Sequence, residues 1–137
     1  MQLVAFRIGR EEYAIPIEQV REIINYMPVT RLPETPAYFK GIINVRGKII
    51  PVVDSAARLD LVTDLAAKQI VIVETGDKEV GLTVDTVTEV IQTADGNFSR
   101  VESVGNDGQK IRTVYNLPGR IIILLDLEQL LVGAEVA

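Results

Sequence analysis

A chain of 137 residues holds enough side chain for one compact unit, or for two very small ones sharing a core. Its 47% hydrophobic and 24% charged residues are those of a folding globular chain, and the lack of cysteine and histidine excludes disulfides, thiolate or imidazole metal sites and the commonest general base. A net charge of −5 with no basic cluster argues against gripping the phosphates of nucleic acid.

The opening residues, Met1 to Arg7, lack the basic and long apolar regions of a secretory signal. No apolar run approaches the roughly 20 residues a membrane-spanning helix needs, so direct membrane insertion is not expected. Valine and isoleucine make up 34 of the 137 residues, and these stiff, β-branched side chains favour strands. The first strand is expected over residues 3–8, a turn over Gly9-Arg10-Glu11 and a second strand over 12–15. Beyond Pro16, apolar residues at Ile17, Val20 and Ile24 have the spacing of a helical turn with one buried face. A hairpin turn at Asn44–Gly47 then leads into a nearly wholly apolar strand, 49–53, closed by Asp54.

From residue 69 the order repeats. Shifted by 67, residues 2–24 lie over 69–91 with identities at Gln2/Gln69, Val4/Val71, Gly9/Gly76, Glu12/Glu79, Val20/Val87, Glu22/Glu89 and Ile24/Ile91. Shifted by 72, residues 44–59 lie over 116–131, matching Asn44/Asn116, Gly47/Gly119, Ile49/Ile121, Ile50/Ile122, Asp54/Asp126 and Leu59/Leu131. The middle of the second copy is therefore longer by five residues, the difference between the two offsets. Strands are expected at 69–75, 79–84 and 121–125, with Val84, Val87 and Ile91 repeating the helical-turn spacing. Leu127, Leu130 and Leu131 suggest a final short helix capped by Asp126. Many short strands with frequent turn signals favour small barrels or a sandwich. Units of some 65 residues are marginal alone, so the two are expected to share an interface that forms a groove for a partner.

Catalysis has little to work with. Asp54, Asp126, Asp85 and Glu22 are the carboxylates a paired-acid hydrolase would use, but Asp54 and Asp126 are twins at strand ends, which capping explains with less. Asp95-Gly96-Asn97 and Asn106-Asp107-Gly108 read as turns, since neither continues into a twelve-residue calcium loop. Val45-Arg46-Gly47-Lys48 has no phosphate-loop pattern. No catalytic residue, cofactor or metal site is expected. Where the copies differ, Arg46 stands against Pro118, Arg21 against Thr88 and Pro51 against Ile123. A residue that serves only the fold should recur in both copies, so Arg46 is a candidate contact.

Three segments together resemble the CheW-type chemotaxis coupling proteins: Phe6-Arg-Ile-Gly-Arg-Glu-Glu-Tyr-Ala-Ile-Pro-Ile-Glu-Gln-Val-Arg-Glu-Ile23, Lys40-Gly-Ile-Ile-Asn-Val-Arg-Gly-Lys-Ile-Ile-Pro-Val-Val-Asp54 and Val80-Gly-Leu-Thr-Val-Asp-Thr-Val-Thr-Glu-Val90. The similarity runs over about residues 2–132 and departs at Ser55-Ala56 and Thr113. It implies an all-β fold of two intertwined SH3-like five-stranded barrels with short helical segments, forming a single CheW-like domain over 1–137. The approximate first lobe would span 14–67 and the second 1–13 plus 68–137, with a strand swap. It further implies a non-enzymatic adaptor that couples membrane chemoreceptors to a CheA-type histidine kinase, cytoplasmic and peripheral to the inner membrane through its receptors. The receptor's helical hairpin tip would lie between the lobes against Val20, Gly41, Arg46, Val87 and Val90. The kinase's regulatory domain, of the same fold, would dock at Glu22 and Ile24. A small hydrolase built on paired aspartates, a regulatory module from a larger kinase and a nucleic-acid-binding barrel are the competing readings.

Overall fold

The computed structural model describes residues 1–102 and 111–131. Eleven strands and two one-turn helices lie in this order: β1 (Gln2–Ile8), β2 (Glu11–Pro16), β3 (Val20–Asn25), β4 (Phe39–Val45), β5 (Lys48–Val53), α1 (Ser55–Arg58), β6 (Gln69–Thr75), β7 (Lys78–Val84), β8 (Thr86–Gln92), β9 (Phe98–Glu102), β10 (Ile111–Leu117), β11 (Arg120–Leu124) and α2 (Leu127–Leu130). The repeat reads directly onto these elements, with β1 equivalent to β6, β2 to β7, β3 to β8, β4 to β10, β5 to β11 and α1 to α2.

Pairing does not follow the copies. One sheet runs β3-β6-β7-β5-β4 and the other β8-β1-β2-β11-β10-β9. Each sheet therefore takes its opening hairpin from the opposite half of the chain: β1–β2 joins the strands of the second copy, and β6–β7 those of the first. Apart from β9 the two orders are the same, including the parallel pairings β5 with β7 and β11 with β2. The all-β, SH3-like expectation holds, with one correction. The second sheet has a sixth strand, β9, in the longer middle segment, and neither sheet closes end to end among the described residues.

The core explains the nearly continuous apolar runs. Leu3, Ala5, Ala14, Ile91, Tyr115 and Ile122 form the six-stranded sheet's own core, and Ile43, Ile50, Val52, Ile70 and Ile72 form that of the other. A third cluster lies between the sheets, built from Phe6, Ile8, Tyr13 and Ile15 of one, Val71, Val73, Val80 and Leu82 of the other, and the α2 leucines. Alternate residues of β1, β6, β5 and β11 thus point into different cores, so both faces must be apolar.

The predicted helical turns are mostly strand. Only Ile17–Gln19 forms a 3-10 turn, after which Val20–Asn25 is extended, and in the second copy β7 and β8 are separated by Asp85 alone. Both third strands carry a β-bulge at the same place. Val20 and Glu22 face the adjacent residues Val73 and Ile72, as Val87 and Glu89 face Phe6 and Ala5. Arg21 and Thr88 are the extra residues, and the bulge moves the side chains beyond it to the other face. Val20 thereby packs on the central cluster and Ile24 on the five-stranded sheet's own core.

The expected caps and turns form. Asp54 accepts the Ala57 N–H at 3.2 Å, and Asp126 accepts those of Glu128 and Gln129 at 3.1 and 3.4 Å. Asp95-Gly96-Asn97 is a turn with Gly96 at φ 87°, and Asn97 N–H donates to the Ala94 carbonyl. Asn106-Asp107-Gly108 lies outside the described residues.

Candidate functional site

Val20 opens β3 and Val87 is the second residue of the equivalent β8 in the opposite sheet, and both are half-buried against the central cluster. The Val87 N–H is fixed by Gln69 Oε1 at 2.7 Å. Val90, 52% exposed, stands opposite the buried Val4 on the face toward that cluster. Its repeat partner is Ile23, 39% exposed and opposite Val71. Each sheet therefore carries an equivalent apolar pair on its face toward the central cluster, Val20 with Ile23 and Val87 with Val90, a border that the repeat makes symmetric. Sequence reasoning passed over Ile23, although the shift that pairs Val20 with Val87 also pairs Ile23 with Val90.

Gly41 does not present a side-chain surface. It is buried on β4 with φ 146°, and a Cβ there would lie 2.1 Å from the Thr30 carbonyl oxygen. Thr30 and Ile42 exchange backbone hydrogen bonds of 2.9 and 2.8 Å across this approach. Gly41 holds the 29–30 segment against the sheet, so it can act on a partner only through the backbone it supports.

Arg46 tops the β4–β5 hairpin. Arg46 and Gly47 have φ 50° and 85°, the left-handed pair that primed turns require, and the Asn44 side-chain oxygen accepts the Gly47 N–H at 2.8 Å. The Arg46 side chain is 73% exposed, and both arms of its guanidinium engage the two oxygens of Glu22, one at 3.1 Å. This hydrogen-bonded partner holds the Glu22 carboxyl below the ordinary glutamate range, against the opposing effect of desolvation. Beside them Lys48 Nζ reaches Glu79 at 2.8 Å, and Arg21 Nε lies 3.2 Å from Glu74 and 3.7 Å from Glu79. A residue assigned to the receptor and one assigned to the kinase thus share one ion pair, at a cleft of about 410 Å³ that Ile50 and Ile72 also line. Ile24, the other kinase candidate, is half-buried on the sheet's own core and offers little side chain.

The second lobe solves the same electrostatic problem differently. Arg120 donates to both oxygens of Glu12, at 3.1 and 2.7 Å, and to Glu89 at 2.5 Å. The hydrogen bonds from Arg120, foremost, hold the Glu12 carboxyl below the ordinary glutamate range, and the two glutamates in turn raise the Arg120 guanidinium. By the repeat, Glu12 corresponds to Glu79, Glu89 to Glu22 and Arg120 to Lys48. One guanidinium serves both acids, whereas the compact ammonium of Lys48 reaches only one and leaves Glu22 to Arg46. Pro118, at the Arg46 position, cannot adopt a positive φ, and in its turn only Gly119 does so, at 72°. The lack of an Arg46 counterpart has this structural cause in addition to any role in contact.

Asp85 closes the β7–β8 turn against the exchanged hairpin. Its N–H donates to the Arg7 carbonyl at 2.8 Å, its carboxylate accepts the Gly9 N–H, and its Oδ2 is buried with no hydrogen-bond partner. Burial raises its pKa above the ordinary aspartate value, outweighing the Gly9 hydrogen bond and nearby Lys68. A carboxyl raised on folding contributes stability below its unfolded pKa and loses that contribution as pH rises through the folded one. The ionised Asp85 is therefore a cost at neutral pH. Asp85→Asn is expected to raise the melting temperature at pH 7 and to change it little near pH 3. Melting curves across that range check this, and an equal shift at both pH values would refute it.

The model of the CheW-like domain family matches residues 2–135. A probable chemotaxis protein CheW of Rhizobium etli is 36% identical over 98% of this chain and 89% of its own length. The chemotaxis protein CheW of Thermotoga maritima is 29% identical over 95% of this chain and 87% of its own. Among solved structures, the scaffolding protein TtCheW of Thermoanaerobacter tengcongensis superposes with a TM-score of 0.83 at 32% identity, covering 94% of this chain and 90% of that one.

Proposed function

The chain belongs to the CheW-like family, and from that premise we propose that it couples chemoreceptors to a CheA-type histidine kinase by binding alone. The observation that carries this reading is the agreement of sequence and fold along nearly the whole chain with chemotaxis scaffolding proteins. The capping roles of Asp54 and Asp126 agree with it, since each commits its Oδ1 to a helix N-terminus. An adaptor of this kind changes no bond. It favours one state of the kinase over another according to the state of the receptor it holds, through differential binding free energy.

The working lobes, in this proposal, are the two sheets with their cores and not the two halves of the sequence. The receptor's helical hairpin tip contacts the border of Val20, Ile23, Val87 and Val90, with Arg46 beside it and Gly41 supporting the backbone. The kinase's regulatory domain docks on the five-stranded sheet at Glu22, with Ile24 behind it. The protein works in the cytoplasm, held near the inner membrane by its receptors. Among the described residues no helix is long and apolar enough to cross a membrane.

Co-purification from lysate, read for a large histidine kinase, tests the coupling role. Glu22→Lys is expected to weaken binding of the purified regulatory domain by roughly tenfold, the scale of losing one interfacial charge pair, while Glu89→Lys leaves it unchanged. Equal losses from the two substitutions would contradict docking on the five-stranded sheet.

A further inference from the structure

The repeat is broken at one contact that crosses between the copies. Arg58, the last residue of α1, donates from Nε to the Leu130 carbonyl at 2.8 Å and from Nη2 to the Gln129 carbonyl at 3.1 Å. These are carbonyls of the last turn of α2, where a helix runs short of internal partners, although the Gln129 carbonyl also accepts the Leu131 N–H. The guanidinium lies 5.2 Å from the centre of the Tyr38 ring, which helps to fix its plane. The opposite end of α1 is also tied down, because the buried Ser55 N–H donates to Thr83 Oγ1 of β7 at 3.1 Å. In the second copy the position equivalent to Arg58 is Leu130, a buried apolar residue, so the clasp has no counterpart.

What the clasp holds is the central cluster. Leu127, Leu130 and Leu131 bring α2 into it, Leu59 and Ala56 bring in the region of α1, and Val20 and Val87 pack against the same cluster from opposite sheets. A one-turn helix has almost no stability of its own, so its placement depends on these tertiary ties.

We propose that Arg58 is a positioning residue, which by anchoring the end of α2 locks the two sheets at one angle and keeps Val20 and Val87 correctly spaced for a receptor tip. The proposal rests on the reading of Val20 and Val87 as receptor contacts. Arg58 touches neither partner. It raises the fraction of molecules in which the border is already in its binding arrangement, and apparent affinity scales with that fraction.

The chain has no cysteine, so Asn25→Cys in β3 and Arg100→Cys in β9 give one spin label on each sheet without further changes. Inter-label distances are measured in the full chain with and without Arg58→Ala, alongside affinity for a soluble receptor hairpin and for the kinase regulatory domain. The expected result is a broadened distance distribution, a receptor affinity lower by roughly five- to tenfold, and an unchanged kinase affinity. Arg58→Lys, which keeps the charge but not the two-armed geometry, falls between. An unchanged distribution, an unchanged receptor affinity, or equal loss toward both partners overturns the proposal. Failure of the unsubstituted chain to bind the receptor hairpin sinks the coupling reading and this role with it. The distance distributions tell that outcome from failure of the clasp.

Discussion

Gly41→Ala is expected to destabilise the chain by about 2–6 kcal/mol, combining about 1–3 for a strained backbone and about 1–3 for overpacking. The added Cβ would meet Thr30 O at 2.1 Å, Thr30 C at 2.7 Å and Val29 Cγ1 at 2.8 Å. Two of these are backbone atoms, held by the paired hydrogen bonds between Thr30 and Ile42, so no rotamer change relieves the clash. The φ of 146° adds strain for any residue with a side chain. Against a typical total of about 5–15 kcal/mol, a loss of this size leaves little margin. Gly47→Ala is the control. That glycine is also at positive φ, 85°, but nothing lies within 4 Å of its Cβ position, so only the strain remains. Urea denaturation of both variants decides the matter, and equal midpoints would refute the close-approach argument. Receptor binding of the Gly41 variant should fall in step with its folded fraction, as backbone support requires.

Arg46→Glu is expected to weaken receptor binding by roughly tenfold or more, the cost of reversing a charge at a contact. The ion pair with Glu22 adds a second effect. The substitution sets two carboxylates against each other, so kinase docking at Glu22 should weaken as well, whereas Arg46→Ala should spare it. Stability should change little in either variant, because the pair is exposed. Combining Arg46→Glu with Glu22→Arg restores opposite charges, and the double variant should recover the melting temperature but neither affinity. Titration calorimetry with each partner checks this. Recovered binding would mean that the pair shapes the hairpin and does not itself touch the partners.

Much of this architecture is written in the repeat. Matched Gly9 and Gly76, Asn44 and Asn116, and Asp54 and Asp126 mark turns and caps through local chemistry that a sequence displays. The hairpin exchange is not displayed, because a repeat tells which strands are alike but not which of two equivalent partners each one pairs with. The helical-turn reading failed for a definable reason. A bulge at Arg21 puts Val20 and Ile24 on opposite faces of β3, each over its own apolar cluster, and the resulting spacing imitates one helix face. Strand β9 is an edge strand exposed at Ser99, Arg100, Val101 and Glu102, with no alternation to give it away. The ion pairs at the site join residues 24, 31 and 108 positions apart. Their one trace in the sequence is the Lys48/Arg120 substitution, which has meaning only when Arg46/Pro118 is read with it.

The exchanged hairpins also govern how this chain can be made. On the ribosome, β1 and β2 emerge first, yet β8, the outer neighbour of β1, is complete only at Gln92, and β11, the neighbour of β2, only at Leu124. The five-stranded sheet waits in turn for β7, which ends at Val84. The five-stranded sheet can close first, while β1 and β2 must wait for the end of the chain, so early synthesis leaves apolar strands without their partners. With four of the nine strand pairings among the described residues closing long loops, folding belongs toward the slow end of the range for small domains. Loss of structure is collective for a related reason, since opening either sheet breaks the central cluster to which both contribute side chains.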